Sequence, residues 1–472
     1  MDFSLSDHQL LIRDTVRDFM STEVRPHVKE WERTDHFPLD AIRDLGALGC
    51  CGMLMPEEWG GSALDTLSYV LMIEEVARVH TALSTALSVT NSAVQLPILA
   101  FATPDQKSCY LPRLSSGAII GAFCLTEPAA GSDAAGIQST AIPVAQNVPT
   151  SLGASPSAFS TKQNCHPERS EGSAFSVSNS NRPFTHYRLN GTKTWVTNGS
   201  AAGVYIVFAK TQPDLGGKGI TAFLVEPTFP GFKIGRHEDK MGQRSSPSVE
   251  IILNDCLVPC ANRLGEEGQG LKIALSALEG GRIGIAAQAV GLAQGALAES
   301  TKYARARKAF GKSIGEFQAI QWMLADMYTE IEAARALLYH AAFLKDRSAP
   351  SRFTTPGCHP EHREGSAFSR SDAPAPASAP GLLSFSSTGR SPARSRVEVS
   401  PVAGHSAASR AKLYASEMVN RVVYKAVQIH GSLGYSRESD VERMYRDARV
   451  ISIYEGTSEI QRTIIARDLL RP

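Results

Sequence analysis

A glutamate near the end of the chain combines features that suit proton abstraction. Glu455 follows the apolar run Val450–Tyr454 and precedes Gly456, whose missing side chain lets a backbone or a flat ligand approach closely. A carboxylate among apolar groups has its charged form disfavoured, which increases its basicity. Ser458 and Gln461 have the spacing of a capping box, so we expect the last helix to begin there. Glu455 is a candidate general base, although a loop glutamate is more often a solvated surface charge.

A loop of small and hydroxyl-bearing residues forms a second candidate site. The strand-like run Phe123-Cys124-Leu125 enters the turn TEPAAGSD, which extends from Thr126 to Asp133. Such a loop can bring backbone N–H groups, Thr126 or Ser132 against a polar heterocycle or a phosphate. An ordinary turn has the same composition, so both interpretations stay open at this point.

Two further segments carry candidate ligand-binding residues. QIHGSLGY, from Gln428 to Tyr435, ends a long helical pattern with a glycine-rich corner, and helix C-capping accounts for one glycine without any ligand. The lone His430 fits a packed or capping residue better than a metal ligand. Arg305, Arg307 and Lys308 form a basic cluster that either is solvated or lets Arg307 contact a phosphate bidentately.

The composition disfavours several classes of partner. The 472 residues are 43% apolar and 20% charged with a formal net charge of +1, which predicts a globular chain with ample core. A near-neutral chain has no field that would gather nucleic acid or an anionic membrane, so we expect neither. The N-terminus MDFSLSDHQL lacks a signal-peptide pattern and no run reaches roughly 18 apolar residues, which predicts a cytoplasmic protein. The eight scattered cysteines predict reduced thiols.

Nearly the same thirteen-residue segment occurs at two places in the sequence. NCHPERSEGSAFS stands at 164–176 and GCHPEHREGSAFS at 357–369. The words offer Cys165, His166, Cys358 and His359 as potential zinc ligands. Cysteine and histidine are adjacent in each word, whereas zinc sites usually separate such ligands by about two to four residues, so we predict no metal site. The surrounding blocks, about 147–183 and 349–404, carry too few regularly spaced apolar residues to offset their ordering entropy and predict disordered insertions.

Periodicity predicts an α+β chain in the order helix, sheet, helix. Residues 1–115 are helical in pattern, with Ser6 and Gln9 as a capping box that opens a helix through Val24. Residues 116–259 are β-rich, with strand patterns over Thr194–Thr197, Val204–Ala209, Thr221–Val225 and Val249–Leu253. Residues 260–472 return to helical patterns over Leu271–Ala304, Phe317–Leu344, Ala407–His430 and Glu459–Leu470, which predict an antiparallel bundle. No Gly-x-Gly-x-x-Gly follows a strand, so a Rossmann site is not indicated.

Taken together, these segments resemble the acyl-CoA dehydrogenase family of flavoenzymes, of the short-chain, medium-chain or short-branched-chain type. CLTEPAAGSDAAG at 124–136 has the form of the family's first signature, and QIHGSLGYSRESDVERMYRD at 428–447 that of its second. TKTWVTNG, EGGRIGIAAQAVG, ARARKAFGKSIGEFQ and RDARVISIYEGTSEIQRTIIARDLL stand in the family's order. The resemblance covers the chain except the two inserted blocks.

The resemblance implies an N-terminal α-helical domain (1–115), a middle β-sheet or barrel domain (116–259) and a C-terminal four-helix bundle (260–472). FAD is then held noncovalently between the last two domains. The resemblance also implies a homotetramer, or sometimes a dimer, in which a neighbouring subunit completes each flavin site. An electron-transferring flavoprotein is the implied electron acceptor.

The resemblance also assigns site residues. The cofactor-binding residues it implies are Phe123, Leu125, Thr126, Gly131, Ser132, Trp195, Val196, Thr197, Arg307, Phe310, Gln318, Gln428, Ile429, His430, Gly431, Ser432, Thr457, Ser458 and Glu459. The substrate-binding residues it implies are Ser132, Glu279, Gly280, Gly281, Arg282 and Gly456. Thr126 would hydrogen-bond the reactive edge of the flavin ring. Arg307 and Gln318, with 428–432, would bind the pyrophosphate and adenosine parts of FAD across the subunit boundary.

The implied reaction converts a saturated acyl-CoA to a trans-2-enoyl-CoA. Glu455 removes the α-proton and the β-hydrogen leaves as hydride to flavin N5. Hydrogen bonds to the thioester carbonyl, from the flavin ribityl chain and the Glu455 backbone N–H, acidify the α-carbon. Some relatives place the base just before the arginine of the EGGR segment, but that position is Gly281 here and cannot act as a base. The pattern does not fix acyl chain length, because pocket depth depends on which side chains of the helices after Leu67 and Leu271 point inward. We expect a short- or medium-chain acyl group, straight or singly branched.

Three alternatives remain at this point. An acyl-CoA oxidase shares the fold and gives electrons to oxygen, but such chains usually carry an extra C-terminal domain. A noncatalytic flavin-binding relative associated with DNA is disfavoured by Glu455 and by the charge of +1. An interaction protein built around the Cys-His words is the third.

Overall fold

The computed structural model describes residues 4–145, 184–348 and 406–471, and it begins with a helical region. Its α-helices are α1 (Asp7–Phe19), α2 (Val28–Thr34), α3 (Leu39–Ala47), α4 (Thr66–Val79), α5 (Thr81–Ser88), α6 (Leu96–Phe101) and α7 (Pro104–Ser115). The side chains of Ser6 and Gln9 each accept a hydrogen bond from the other's backbone N–H, which confirms the capping box. One π-helical turn, Met20–Val24, continues the helix to the predicted Val24.

A sheet of eight strands follows α7. The strands are β1 (Gly121–Cys124), β2 (Thr140–Ala145), β3 (Phe184–Thr197), β4 (Val204–Lys210), β5 (Ile220–Val225), β6 (Phe232–His237), β7 (Ser248–Pro259) and β8 (Arg263–Leu264). Their order is β6-β7-β3-β2-β4-β5-β8, and β1 pairs with β4 in parallel. Every residue of β5 is buried, which explains its continuous apolar run. The four predicted strand segments lie within β3, β4, β5 and β7. The sheet continues to Leu264, because β8 pairs with β5.

The last region is helical. It contains α8 (Gly270–Ala306), the short strands β9 (Lys308–Ala309) and β10 (Lys312–Ser313), α9 (Gln318–Ser348), α10 (Ala407–His430), α11 (Asp440–Arg449) and α12 (Ser458–Leu469). Helices α8, α9 and α10 pack against one another, and α8 also packs against α4. The four predicted helices are confirmed as α8, α9, α10 and α12, whereas α11 was not predicted. None of the helices in the described ranges combines the length and apolar character needed to cross a bilayer.

Glycines bring α8 unusually close to α4. A Cβ built on Gly291 would lie 2.8 Å from the carbonyl carbon of Glu74, and one on Gly295 would lie 3.3 Å from that of Arg78. Because real Cβ atoms essentially never stand nearer than about 3 Å to backbone, Gly291 could not carry a side chain without moving α4. The close contact holds the next segment of α8 toward its N-terminus, which contains Gly280 to Gly284, beside the N-terminal helices.

The repeated Cys-His words and the predicted disordered insertions lie outside the described residues. Six cysteines lie in the described ranges, and the structure places none of them in a disulfide: Cys50, Cys51, Cys109, Cys124, Cys256 and Cys260. Burial raises the pKa of Cys50 and of Cys51 to about 12, so both remain protonated at neutral pH. Across the described ranges, no group of three or more His, Cys, Asp or Glu side chains could hold a metal ion.

Candidate active site

Glu455 lies on a sharp corner between α11 and α12. Its φ is 54° and that of Gly456 is 86°, so two consecutive residues adopt the left-handed conformation. For a residue with a side chain this conformation is uncommon, and it persists only where the surrounding structure enforces it. Gly456 adopts it without steric cost. The corner turns the chain from a 3₁₀ turn, Val450–Ser452, into α12.

The carboxyl group of Glu455 packs against the backbone of α8. A Cβ built on Gly281 would lie 2.7 Å from Cδ of Glu455, so a side chain at position 281 would displace the carboxyl group from this place. Oε2 of Glu455 is buried and has no hydrogen-bond partner among the described residues. Burial raises the pKa of Glu455 to about 7, against the opposing charges of Arg282 and Lys412. The group can therefore hold or release a proton near neutral pH.

Two side chains hold the backbone of the corner. Lys412 of α10 donates from Nζ to the Gly456 carbonyl at 2.8 Å. Gln461 of α12 donates from Nε2 to the carbonyls of Glu455 and Gly456 at 3.2 and 3.0 Å. The helix begins one residue earlier than a Ser458 cap requires, because the N-cap is Thr457, whose hydroxyl accepts from the Ile460 N–H. The predicted capping box of Ser458 and Gln461 is therefore wrong, since Gln461 bonds carbonyl groups instead.

Tyr454, next to the candidate base, is held by a buried polar network. Its hydroxyl donates to Oε1 of Gln288 on α8 and accepts from Nε2 of Gln243 at 3.2 Å. Oε1 of Gln243 accepts in turn from the hydroxyl of Thr85 at 2.7 Å. The network joins the helical regions to the sheet region at the corner. Sequence analysis missed it, because its members are far apart in the chain.

Tyr69 and Ser88 contact the glycine segment of α8 at Gly284, three residues after Gly281. The Tyr69 hydroxyl donates to Oγ of Ser88 at 3.2 Å, and a Cβ on Gly284 would lie 2.6 Å from that hydroxyl oxygen. A Cβ on Gly280 would lie 3.1 Å from Cδ1 of Leu96. Burial raises the pKa of Tyr69 to about 12, and the Glu455 charge adds to the effect. The helix after Leu67 thus contributes a neutral hydroxyl near the candidate base.

The loop after β1 is fixed by a buried ion pair. Nζ of Lys193 lies 2.7 Å from Oε1 of Glu127, and both side chains are almost completely buried. The hydroxyl and N–H of Ser139 also donate to Oε1, at 2.6 and 3.0 Å. The Thr194 N–H donates to the Thr126 carbonyl at 2.9 Å and ties the loop to the end of β3. Glu127 and Lys193 were not predicted, because the strand that carries Lys193 is only partly buried and its charge resembles that of a solvated residue.

Trp195 presents an exposed ring beside this loop. Its φ is 58° and its side chain is 58% exposed, at a register shift in the pairing of β3 with β7. A β-bulge of this kind redirects a side chain from the regular pleat. The exposed indole next to the Thr126 segment gives an apolar surface bordered by backbone and hydroxyl groups. This surface fits a flat, polar heterocycle.

The other residues of the two sheet-region segments differ in exposure. Phe123 is half-buried against Phe208, with ring centroids 5.0 Å apart, and Leu125 is buried. Gly131 and Ser132 are exposed, whereas Val196 is buried and Thr197 is half-buried.

The remaining predicted cofactor residues form a separate group. Arg307, Phe310, Gln318, Gln428, Gly431 and Ser432 are exposed, and Phe310 is 96% exposed. Ile429 and His430 are buried, and the His430 ring stacks on Tyr303 at 4.4 Å. Nδ1 of His430 contacts the Ala426 carbonyl at 2.8 Å, so this ring is packed in the bundle. No hydrogen bond among the described residues joins this group to Glu455.

The substrate candidates lie along one turn of α8. Glu279 is exposed, Gly280 and Gly281 are buried, and Arg282 is half-buried. Burial lowers the pKa of the Arg282 guanidinium against the charges of Glu455 and Glu279, and its Nε has no hydrogen-bond partner in the part of the chain that the structure describes. In α12, Ser458 is buried and Glu459 is exposed.

The three regions match known protein domains in the same order. The acyl-CoA dehydrogenase N-terminal domain matches residues 6–118, the middle domain 167–256, and the C-terminal domain 268–358 and 393–470. These matches define a dehydrogenase built from a helical domain, a sheet domain and a second helical domain. The chain belongs to the acyl-CoA dehydrogenase family.

Individual relatives cover the whole chain. It is 36% identical to the short-chain specific acyl-CoA dehydrogenase of Clostridium acetobutylicum, over 100% of both chains. It is similar to a solved structure of an acyl-CoA dehydrogenase complexed with FAD from Bacillus anthracis, at 31% identity and a TM-score of 0.76, over 99% of this chain and 68% of that one. It is also similar, at 37% identity, a TM-score of 0.79 and full coverage of both chains, to a structure described as electron transferring flavoprotein of Acidaminococcus fermentans.

Proposed function

We propose that this protein oxidises short-chain acyl-CoA thioesters to trans-2-enoyl-CoA, with Glu455 as the base that removes the α-proton and with FAD as cofactor. The observation that carries this proposal is the enclosed carboxyl group of Glu455 against Gly281, with a pKa raised to about 7 by burial. An ordinary surface glutamate would be too weak a base near neutral pH. The family of the chain and the name of its short-chain relative support the substrate class.

Different residues of the site have different roles in the proposed reaction. Glu455 takes the α-proton in its ionised form, so activity rises as pH increases through about 7. Its backbone N–H, as in the family, is the donor to the thioester carbonyl. Gly281 leaves the space that the carboxyl group occupies, and Glu279 to Arg282 meet the CoA thioester. Tyr69 and Ser88 contact the same helix at Gly284, three residues after the glycine that faces the carboxyl group.

FAD, when bound, accepts the β-hydrogen of the substrate as hydride. Thr126, Trp195 and the neighbouring residues fit this group, because they combine an exposed indole with the backbone and hydroxyl groups of the loop that the Thr194–Thr126 bond holds beside it. The residues that line the flavin ring are Phe123, Leu125, Thr126, Gly131, Ser132, Trp195, Val196 and Thr197. Thr457, Ser458 and Glu459 complete the site for the pyrophosphate and adenosine parts. The solved relative that contains FAD supports FAD as the cofactor.

The exposed group at the ends of α8 and α10 serves a neighbouring subunit. Arg307, Phe310 and Gln318, with 428–432, are separated from Glu455 in one protomer, which is consistent with a cofactor completed across a subunit boundary. We therefore propose a homotetramer, or a dimer, and separately a cytoplasmic location. Its domains are 1–115, 116–259 and 260–472. Electrons pass to an electron-transferring flavoprotein.

The test is anaerobic bleaching of the flavin by acyl-CoA. The purified protein should be yellow, and a chain-length series should bleach it fastest at a short acyl group. Glu455→Gln should keep its colour and bind substrate but lose bleaching by about 10²–10⁴-fold, the usual contribution of a positioned base. Asp440→Asn removes a carboxylate that no proposed role involves and should bleach as the parent does. Bleaching of the Glu455 variant at the parental rate would show that another group is the base.

A further inference from the structure

A lysine is buried beneath the corner that carries Glu455. Lys412 has no exposed surface, although an ammonium group is costly to remove from water. It lies on the apolar stripe of α10, where Ala408, Ala411, Ala415 and Val419 are also buried. A cation at such a position needs a specific partner. Its hydrogen bond to the Gly456 carbonyl, at 2.8 Å, supplies one.

The hydrogen bond from Lys412 reaches a corner of strained backbone outside regular secondary structure. Glu455 and Gly456 both have positive φ, and the carbonyls of this corner are not part of a regular helix or strand. Gln461 bonds both carbonyls, but only from the α12 side. Lys412 connects the corner to α10, a long helix of the bundle. The backbone of the corner is therefore fixed from two directions.

The same ammonium group also acts on the carboxyl group. Glu455 is faced by the positive charges of Arg282 on α8 and Lys412 on α10, and by the hydroxyl-bearing rings of Tyr69 and Tyr454. Burial lowers the pKa of Lys412 to about 8, against the charge of Glu455, and Arg282 lowers it further. Glu417 and Glu459 also face the ammonium group and oppose this decrease. Lys412 thus remains mainly charged at pH 7.

Lys412 and Arg282 are not equivalent. Arg282 belongs to the segment that meets the substrate, and it also faces Glu279. Lys412 is fully buried and is bonded to the residue that follows the base. It is the one of the two that can act on the base in the same way whether or not substrate is present.

We propose that Lys412 is a positioning residue for the reaction: its ammonium group holds the Glu455–Gly456 corner through the Gly456 carbonyl and provides a fixed positive charge against which the Glu455 carboxylate forms. The role rests on the proposed function of Glu455 and deepens it. Lys412 does not touch the reacting atoms. It adjusts the pH at which the base becomes available.

The test compares the pH profile of anaerobic flavin reduction in Lys412→Met, Lys412→Gln and Lys412→Arg. Removing a nearby opposite charge should raise the midpoint of the profile by about 1 unit in the two neutral variants. From a parental midpoint of about 7, this shift lowers the rate at pH 7 by about fivefold. The rate of the neutral variants should equal that of the parent again by about pH 9, where the base is ionised in all of them. Lys412→Arg keeps the charge and should keep the parental midpoint.

Lys240→Met is the matched control. Lys240 is a half-buried lysine that also donates to a backbone carbonyl, that of Ser246 at 2.6 Å, but it does not face Glu455. Its loss should leave the midpoint unchanged, so a general effect of removing a lysine that bonds a backbone carbonyl is separated from the specific one. FAD content and melting temperature are recorded for every variant.

The outcomes separate this proposal from the proposed function. If Glu455→Gln abolishes reduction but the neutral Lys412 variants, with normal FAD content, keep the parental midpoint, the role of Lys412 is overturned and the base is retained. If both neutral variants fail to fold while Lys240→Met folds, Lys412 is a structural residue and the proposal is also overturned. If Glu455→Gln reduces flavin normally, the proposed function fails first.

Discussion

Two buried carboxylates, each facing a buried lysine, behave in opposite ways in this protein. Burial acts to raise the pKa of Glu127, but the charge of Lys193 and the hydrogen bonds from Lys193, Ser139 and the Gln138 N–H outweigh it, so the pKa is lowered. Burial also raises the pKa of Glu455, and the charges of Arg282 and Lys412 do not overcome it. The difference lies in direct hydrogen bonds, because Oε2 of Glu455 has none from the described residues.

The comparison shows how one fold keeps a structural carboxylate ionised and holds the pKa of a candidate catalytic carboxyl group near 7. Glu127 is saturated with donors and fixes the loop after β1. Glu455 has lysine near it, but the lysine bonds the Gly456 carbonyl instead of the carboxylate. Donors placed one peptide away support the backbone while leaving the carboxyl group reactive.

The largest effect is expected from removing the cation of the Glu127–Lys193 ion pair. Lys193→Met leaves Glu127 buried without its cation and should lower the free energy of unfolding by about 3–5 kcal/mol. Denaturant unfolding at fixed FAD saturation measures it. The double variant Lys193→Met, Glu127→Gln should recover most of the loss, because no uncompensated charge remains. A small loss in the single variant would show that the pair is not a structural support.

The next effect concerns the space around the base. Gly281→Ala places a methyl group against the Glu455 carboxyl group and should displace it, with a loss of flavin reduction of about 100-fold, as expected for a misplacement of about 1 Å. Stopped-flow reduction at saturating acyl-CoA measures the loss. Leu275→Ala, at an exposed position of the same helix, should reduce flavin at the parental rate. Parental activity in the Gly281 variant would place the working carboxylate elsewhere.

The pH dependence of stability sharpens the contrast between the two acids. The folded-state pKa of Glu455, about 7, lies above its ordinary value of 4.5, so the native state binds the extra proton and stability falls as pH rises from about 4.5 to 7. Glu455→Gln removes this loss. The variant should exceed the parent in free energy of unfolding by up to about 3 kcal/mol at pH 8 and by little at pH 4.5. Thermal or denaturant unfolding at both pH values tests the sign.

The smallest effect is expected at the residue beside the base. Tyr454→Phe removes the hydroxyl that bonds Gln288 and Gln243, and it leaves their buried amides without that partner. We expect a decrease of about 1–3 kcal/mol in the free energy of unfolding. Tyr424→Phe removes a hydroxyl from an exposed ring and should be neutral. An equal effect of the two changes would contradict a role for the network.

The sequence predicted what depends on periodicity and local spacing. The helices α8, α9, α10 and α12 and four strands followed from apolar repeats, and the Ser6 cap followed from one three-residue spacing. The Ser458 cap failed, because Gln461 is recruited by carbonyls of the corner, which no local rule describes. The positive φ of Trp195 and Glu455 likewise depends on tertiary packing. Lys412 stood visible as a cation on an apolar stripe, but its partner lies 44 residues away.

The glycine contact between α8 and α4 couples the active site to the packing of the hydrophobic core. Gly291 and Gly295 seat α8 directly on carbonyl groups of α4, and a few turns earlier the same helix forms the wall behind the reactive carboxyl group. This part of α8 cannot move away from the carboxyl group while the contact between α8 and α4 is intact. Loss of catalytic competence on heating should therefore coincide with cooperative melting instead of preceding it, and thermal tolerance and substrate selectivity should be difficult to change independently.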